Sequence, residues 1–492
     1  MRTVPLTALT PNDTTVLDRQ FCESYISEKI FLLRPENYGE KYPLWPGSVG
    51  IELEMLPVIL PKNQEGTRTP KPVPLQGKQG SLAHVLRGMA KEHNWDLVEE
   101  VHKGSSDPYL LRIALDQGDN LTFEPGGQLE FSSKPYPCLS DAVRRVRFIQ
   151  QELDAQVSKN GWTLVQLGIN PWHDPQEIGL QMAKSRYQAM DRFFTNIGPF
   201  GRRMMRQTCT IQACVDFGPT ETDMAKRFLV SQLLAPFATG IFANSPFMDG
   251  KLADRPGYRS LVWRNLDPSR TGVPELSDLA RYLNKKACVS SYLNFALASK
   301  VVFIEALNYE VPDKDISFEQ WMTHGYKGVL PTKKDFETHL SLLFPEVRPR
   351  GFLELRSVDS QARPWQIVPA AFFTGLLYDQ GNLEKTLEIL MPYLSSIDSL
   401  LVESSMGLQH SVIKEVSQKL MHLSWEGFKL LPPCFRGEGT EKALRIFGER
   451  YTNRGRTPAD DLIEEVKAVG DKTLSLTSIQ RLHDQWGAYL SQ

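Results

Sequence analysis

The clearest periodic signal near the start of the chain is the alternation of Val49, Ile51, Leu53 and Met55, which is strand spacing. Residues 1–45 before it read as a polar, partly helical lead-in. From Leu82 to His93 the period becomes helical, and Leu110 to Leu115 and Leu121 to Phe131 read as two strands joined at Asp116-Gln117-Gly118-Asp119. Between Leu139 and Val157 apolar residues recur in steps of three and four, with Ser140 or Asp141 as a cap and Gly161 as a stop. Trp162 to Ile169, Arg206 to Phe217 and Gly351 to Val358 read as further strands. The uncharged stretch Phe228 to Met248 contains Pro236, Gly240 and Asn244, so it reads as a buried core helix rather than a membrane span.

After Tyr378 the period is helical almost throughout, over Leu383 to Glu403, His410 to His422 and Ile479 to Leu490. The pattern predicts an α+β fold with a mostly antiparallel sheet, covered or extended by C-terminal helices. The expected division is a lead-in over 1–45, a catalytic domain over 46–380 and a helical region over 381–492. Pro61 to Gly80, rich in proline and glycine, is a candidate lid.

Composition narrows the classes. The 492 residues are 41% hydrophobic and 23% charged, with a formal net charge of -2. A dedicated nucleic-acid binder would carry a basic excess, and no polybasic run suggests a membrane surface, so neither partner is expected. The six cysteines form no CxxC pair and the start of the chain lacks a signal-peptide core, so free thiols and a cytoplasmic setting are expected. No P-loop, no GxGxxG and no GxSxG occurs. His102 and His173 stand singly, as structural histidines do.

Three segments carry the candidate chemistry. In Gly50-Ile51-Glu52-Leu53-Glu54 the two carboxylates share one strand face. Glu124 and Glu130 flank Pro125-Gly126-Gly127, where two glycines can break the ladder and let the backbone approach a ligand. Glu354 and Arg356 alternate with apolar residues in Phe352 to Asp359. Each segment alone also fits solvent-facing charges, but five converging glutamates would repel one another unless cations sat among them. Mg²⁺ is the natural occupant, because it takes carboxylate oxygens and leaves positions for phosphate oxygens. Lys184 to Tyr187 and Arg259 to Trp263 add cationic and aromatic residues, suited to phosphate or carboxylate and equally compatible with a surface patch.

Together these segments resemble the plant-type glutamate-cysteine ligases, a family also found in bacteria. The resemblance rests on GIELE (50–54), FEPGGQLEFS (123–132), AKSRYQAM (183–190), MMRQTCTIQACVDFG (204–218), RSLVW with LDPSRTG (259–272), and FLELRSVD with PAAFFTGLLYD (352–379). It implies a glutamine-synthetase-like carboxylate-amine ligase fold, a curved and mainly antiparallel sheet that binds Mg²⁺ and ATP. The implied metal positions are Glu52, Glu54, Glu124, Glu130 and Glu354. Arg186, Arg259 and Arg356 would hold glutamate or the transferring phosphate, with Arg259 and Arg356 catalytic, and Gly126, Gly127 and Lys184 would contact ATP. The implied reaction forms a γ-glutamyl phosphate that the cysteine amine attacks, giving γ-glutamylcysteine for glutathione or a related thiol pathway. A same-fold ligase for another amine, an ATP-independent carboxylate hydrolase and a non-catalytic nucleotide sensor are the alternatives. Two departures bear on the amine: Gln207 replaces the arginine of plant enzymes, with Arg206 on the opposite face of the expected strand, and Ser360 to Trp365 differs from their Gly-Gly-Pro-Trp.

Overall fold

The computed structural model describes residues 17–33, 46–61, 69–101 and 108–491. Most of the lead-in, residues 62–68 of the expected lid and His102 therefore lie outside the described residues. Twelve strands are described: β1 (Val49–Ile59), β2 (Lys71–Pro72), β3 (Asp96–Val101), β4 (Pro108–Ala114), β5 (Asn120–Phe123), β6 (Leu129–Ser132), β7 (Trp162–Val165), β8 (Ile211–Val215), β9 (Phe247–Met248), β10 (Lys251–Leu252), β11 (Val347–Pro349) and β12 (Leu353–Leu355). The main sheet runs β11-β12-β8-β1-β6-β5-β4-β3, with β2 and β7 pairing the far end of β1, and β9 and β10 form a separate ribbon. Every strand pair is antiparallel.

Period two gives this sheet two unlike faces. One carries Ile51, Leu53, Met55, Leu121, Phe123, Leu129, Phe131, Ile211, Ala213, Val215, Leu353 and Leu355, all buried. The helices Leu139–Ser158, Glu221–Ile241 and Val368–Leu377 pack beneath these strands. The Glu221–Ile241 helix is buried over nearly its whole length, as the uncharged stretch predicted, but it ends at Ile241 and the expected helix does not continue to Met248, which lies in β9. The helical C-terminal segment joins the same core, which is continuous from Leu17 to Trp486. Small residues let it dock: a Cβ at Gly375 would lie 2.3 Å from the Ser424 carbonyl oxygen, so the Val368–Leu377 and Ser411–Leu430 helices meet backbone to backbone.

Several boundaries differ from the sequence expectation. The expected strand over Arg206 to Phe217 is borne out as β8, Ile211–Val215, but its first two residues end a helix, Phe200–Gln207. Arg206 closes that helix by donating to the Pro175 carbonyl and pairing with Asp191. Gln207 is fully buried and donates to the His173 carbonyl and Asp249, so the opposite-face argument for these two residues falls. Leu121 to Phe131 is not one strand: β5 and β6 pair with each other across a turn at Pro125-Gly126-Gly127. The expected helix over Leu383 to Glu403 is broken by a 3-10 segment, Met391–Ser396, which opens with Pro392. Cys138, not Ser140 or Asp141, is the N-cap of the Leu139–Ser158 helix. Among the described residues no helix is long and apolar enough to cross a membrane.

Candidate active site

The face of the sheet opposite the core is a continuous polar strip. Antiparallel register sets Glu54 opposite Glu130, Glu52 opposite Ser132 and Gln212, Thr122 opposite Glu130, Cys214 opposite Glu354, and Glu354 opposite Arg348. Six strands from four regions of the sequence thus deliver alternate side chains to one surface.

One end of the strip is acidic. Carboxylate oxygens of Glu54, Glu124 and Glu130 all lie within 4.8 Å of one another. Glu54 accepts from the Thr210 amide at 2.8 Å, while Glu130 accepts from the Thr122 and Ser132 hydroxyls, each at 2.7 Å. Burial, then repulsion from Glu124 and Glu130, pushes the Glu54 carboxyl well above its usual range against the pull of Arg259. Burial and Glu130 push Glu124 up to about 7. Glu52 sits between the two ends, and burial with Glu354 and Glu130 pushes it up to about 8. Carboxylates held this close together and out of water bind protons unless another cation takes their place. The donor set, oxygens only, from β1, β6 and the turn that follows β5, fits Mg²⁺.

The other end is basic. Glu354 is fully buried, accepts two bonds from Arg348 at 2.6 and 3.0 Å, and accepts one each from Arg350 and Arg356 at 3.1 Å. Burial opposes its charge, but Arg348, Arg356 and Arg350 more than offset this and hold the carboxyl far below the usual range. Glu354 was expected among the metal carboxylates. The structure instead fills both its oxygens with guanidinium donors.

The remaining expected residues surround these ends. Arg259 is buried, donates to the Arg356 carbonyl at 2.9 Å and lies 3.7 Å from Asp359. Arg356 also donates to Gln212 at 3.1 Å. The Trp263 ring is 5.8 Å from each of these two guanidinium carbons, so it spaces them. Arg186 donates to the Ser341 hydroxyl at 2.9 Å and keeps a buried Nε without a partner. Lys184 precedes the Ser185–Ile197 helix, its ammonium 5.7 Å from the Tyr187 ring and its basicity lowered by burial. Gly126 and Gly127 form the turn between β5 and β6. A Cβ on Gly126 would lie 2.4 Å from the Arg206 carbonyl oxygen, and one on Gly127 about 3.0 Å from the Gln181 side chain. On the Cα side these glycines meet the Arg206 backbone and the Gln181 side chain.

Arg348, Arg350 and Gln212 escaped the sequence reading. The signal for the first two is present: Val347-Arg348-Pro349-Arg350 alternates like the glutamate strands, although a proline disfavours a central strand. An edge position resolves the conflict, since β11 ends the sheet.

Comparison with known proteins places the chain in a family. The model of the glutamate-cysteine ligase family 2 (GCS2) matches residues 48–472. The chain is 30% identical over 399 residues to a chloroplastic glutamate–cysteine ligase of Medicago truncatula, covering 79% of this chain and 74% of that one. It is 29% identical to the Arabidopsis thaliana counterpart, with 79% and 72% covered. Among solved structures, a glutamate–cysteine ligase from Francisella tularensis in complex with AMP superposes with a TM-score of 0.47 at 14% identity, covering 90% of this chain and 93% of that one. With the family model spanning both ends of the polar strip and most of the C-terminal helices, the chain belongs to the glutamate-cysteine ligase family 2.

Proposed function

We propose that this protein joins the γ-carboxylate of glutamate to the amine of cysteine at the expense of ATP, releasing γ-glutamylcysteine, ADP and phosphate. The observation that carries the reading is the strip itself: a carboxylate trio within 4.8 Å and a guanidinium group on one sheet face, in a chain of this family. A carboxylate is a poor electrophile. Transfer of the γ-phosphoryl group to the substrate carboxylate gives an acyl phosphate, which the amine attacks with loss of phosphate, so no protein nucleophile is required.

Glu54, Glu124 and Glu130 would hold Mg²⁺, with Glu52 adjoining. Bound there, the ion would neutralise triphosphate charge during transfer. Arg259 and Arg356 are fixed before substrate arrives, the first by Asp359 and the Arg356 carbonyl, the second by Gln212 and Glu354. Fixed guanidiniums stabilise developing oxyanion charge without reorganising, commonly the largest contribution to catalysis. Arg186, with its unpartnered buried Nε, is the further donor for a substrate carboxylate or phosphate. Residues 46–380 would form the catalytic unit, with 381–492 as helical support. The six cysteines form no disulfide, which suits a reducing setting such as the cytoplasm and product use in thiol biosynthesis.

The test is phosphate release from Mg-ATP with glutamate alone, cysteine alone and both, with the product identified by mass. Release requiring both amino acids and yielding γ-glutamylcysteine is expected. Turnover with glutamate and only a different amine would correct the product, and phosphate release independent of the amino acids would refute the ligase reading.

A further inference from the structure

Away from the polar strip, two of the free cysteines share one junction between the C-terminal helices and the sheet. Cys138 is the buried N-cap of the Leu139–Ser158 helix, and its thiol donates to the Asp141 carboxylate at 3.1 Å. Cys434 is exposed on the short helix Pro433–Arg436, which packs against that same helix.

Contacts on both sides hold the two elements together. Gly437, the C-cap of the short helix, comes so near Ser140 that a Cβ on it would lie 2.7 Å from the serine hydroxyl oxygen. Glu438 beside it pairs with Arg144 at 3.3 Å and with Arg147 at 3.4 Å. Cys434 precedes Gly437 by one turn, and Cys138 precedes Ser140 by two residues, so the contact carries both cysteines to one place. The sulfurs sense each other there: burial, then the Asp141 carboxylate and the Cys434 sulfur, push the Cys138 thiol up to about 12. Their surroundings differ in the way thiol exchange uses. A small disulfide can reach the exposed Cys434, whereas Cys138 is shielded and already directs its proton at an acceptor.

We propose that Cys138 and Cys434 form an intramolecular disulfide by exchange with the disulfide of a small thiol, RSSR. Cys434 first gives its proton to solvent and attacks one sulfur of the reagent. The bond from Cys434 to that sulfur forms, the S–S bond of the reagent breaks, and RS⁻ leaves and takes up a proton. Cys138 then passes its proton to Asp141 as its sulfur attacks Cys434. The Cys138–Cys434 bond forms, and the second RS⁻ leaves with the proton from Asp141. Two protein thiols are oxidised and one small disulfide is reduced to two thiols.

The bond acts as a staple. Phe435, next to Cys434, is fully buried and edge-on to the Tyr378 ring, whose hydroxyl donates to the Ser48 carbonyl. Tyr136, two residues before Cys138, bridges Val49. Both arms therefore reach the start of β1, the strand that carries Glu52 and Glu54, and the disulfide ties the C-terminal helices to its root.

The test is incubation of the full chain with hydroxyethyl disulfide, read by intact mass, thiol count and peptide mapping. The parent should lose two thiols, keep no adduct and yield one crosslinked peptide pair containing Cys138 and Cys434. Cys138→Ser, in which serine serves as the N-cap, should stop at a stable adduct on Cys434, and Cys434→Ser should take up no reagent at Cys138. The oxidised parent should melt several degrees above the reduced one, a gain that a thiol reductant removes and that both variants lack. A parent that stops at the adduct, or a crosslink between other cysteines or between two chains, would overturn the pairing. An oxidised parent with an unchanged Tm would overturn the staple.

Discussion

The two ends of the polar strip are built by the same rule and behave oppositely. Both arise from alternation on antiparallel strands, and both bury carboxylates. At the Glu54, Glu124 and Glu130 end, carboxylates face carboxylates, and burial and repulsion drive Glu54 and Glu124 toward the protonated form. At the Glu354 end a single carboxylate faces three guanidiniums and is held ionised. Burial alone therefore does not decide the state of a buried acid; its nearest charges do. An acidic end whose carboxylates crowd one another suits a cation, and guanidiniums gathered beside it suit an anion.

Removing the carboxylate logic at its centre should have the largest effect. Glu124→Gln keeps the shape and takes away one of three clustered acids, and kcat/KM should fall by about 10³-fold with a raised Mg²⁺ requirement. The same substitution at Glu54 should match it in steady-state assays, and a loss under tenfold for both would mean that the trio does not hold the metal. At the other end, Arg356→Lys keeps a charge but gives up the guanidinium geometry, with an expected loss of about 10²-fold, mostly in kcat. A change confined to KM would show that Arg356 only binds substrate.

Much of this contrast was legible in the sequence, for a physical reason. Period two places Glu52 with Glu54 and aligns Glu354 with Arg356 whatever the rest of the fold does. Arg348 and Glu354 are only six residues apart, on the two arms of the β11–β12 hairpin, but β11 was not read as a strand, so the guanidinium facing Glu354 was missed. The glycines of Pro125-Gly126-Gly127 were legible as a close approach, but the Arg206 backbone as the partner of that approach was not. The Arg206 to Phe217 stretch misled because its arginine and glutamine satisfy a helix end as readily as a strand start.

Titration should divide the two ends by sign. The raised acids, Glu124 at about 7 and Glu52 at about 8, hold protons in the folded, metal-free protein that the unfolded chain has already released. Their contribution to stability is complete below the ordinary carboxylate range and is lost as pH rises through 7 and 8. The metal-free Tm should therefore fall from pH 5 to 8, Mg²⁺ should flatten that slope, and Mg²⁺ affinity should rise by about tenfold per pH unit for each proton displaced. Glu354 contributes with the opposite sign, above the ordinary carboxylate range and lost only in stronger acid, so it leaves the window from pH 5 to 8 undisturbed. A metal-free Tm that stays level or rises between pH 5 and 8 would contradict the crowding described for the acidic end.

The smallest effect expected is also the most selective. Gly126→Ala would set a Cβ 2.4 Å from the Arg206 carbonyl oxygen and 2.6 Å from its Cα, and backbone cannot yield as a side-chain tip does. The turn must shift, at a cost of about 1–3 kcal/mol, and because Glu124 lies two residues before it, the Mg²⁺ requirement should rise a few-fold while the KM for ATP stays near the parent value. Gly88→Ala is the control, since Gly88 is helical and its added Cβ meets nothing within 4 Å, so the helix preference for alanine should raise stability by about 0.5–1 kcal/mol. If Gly126→Ala lowers Tm but moves metal and nucleotide dependence together, the two ends are mechanically coupled through the sheet, and the acidic trio cannot be tuned apart from the arginines.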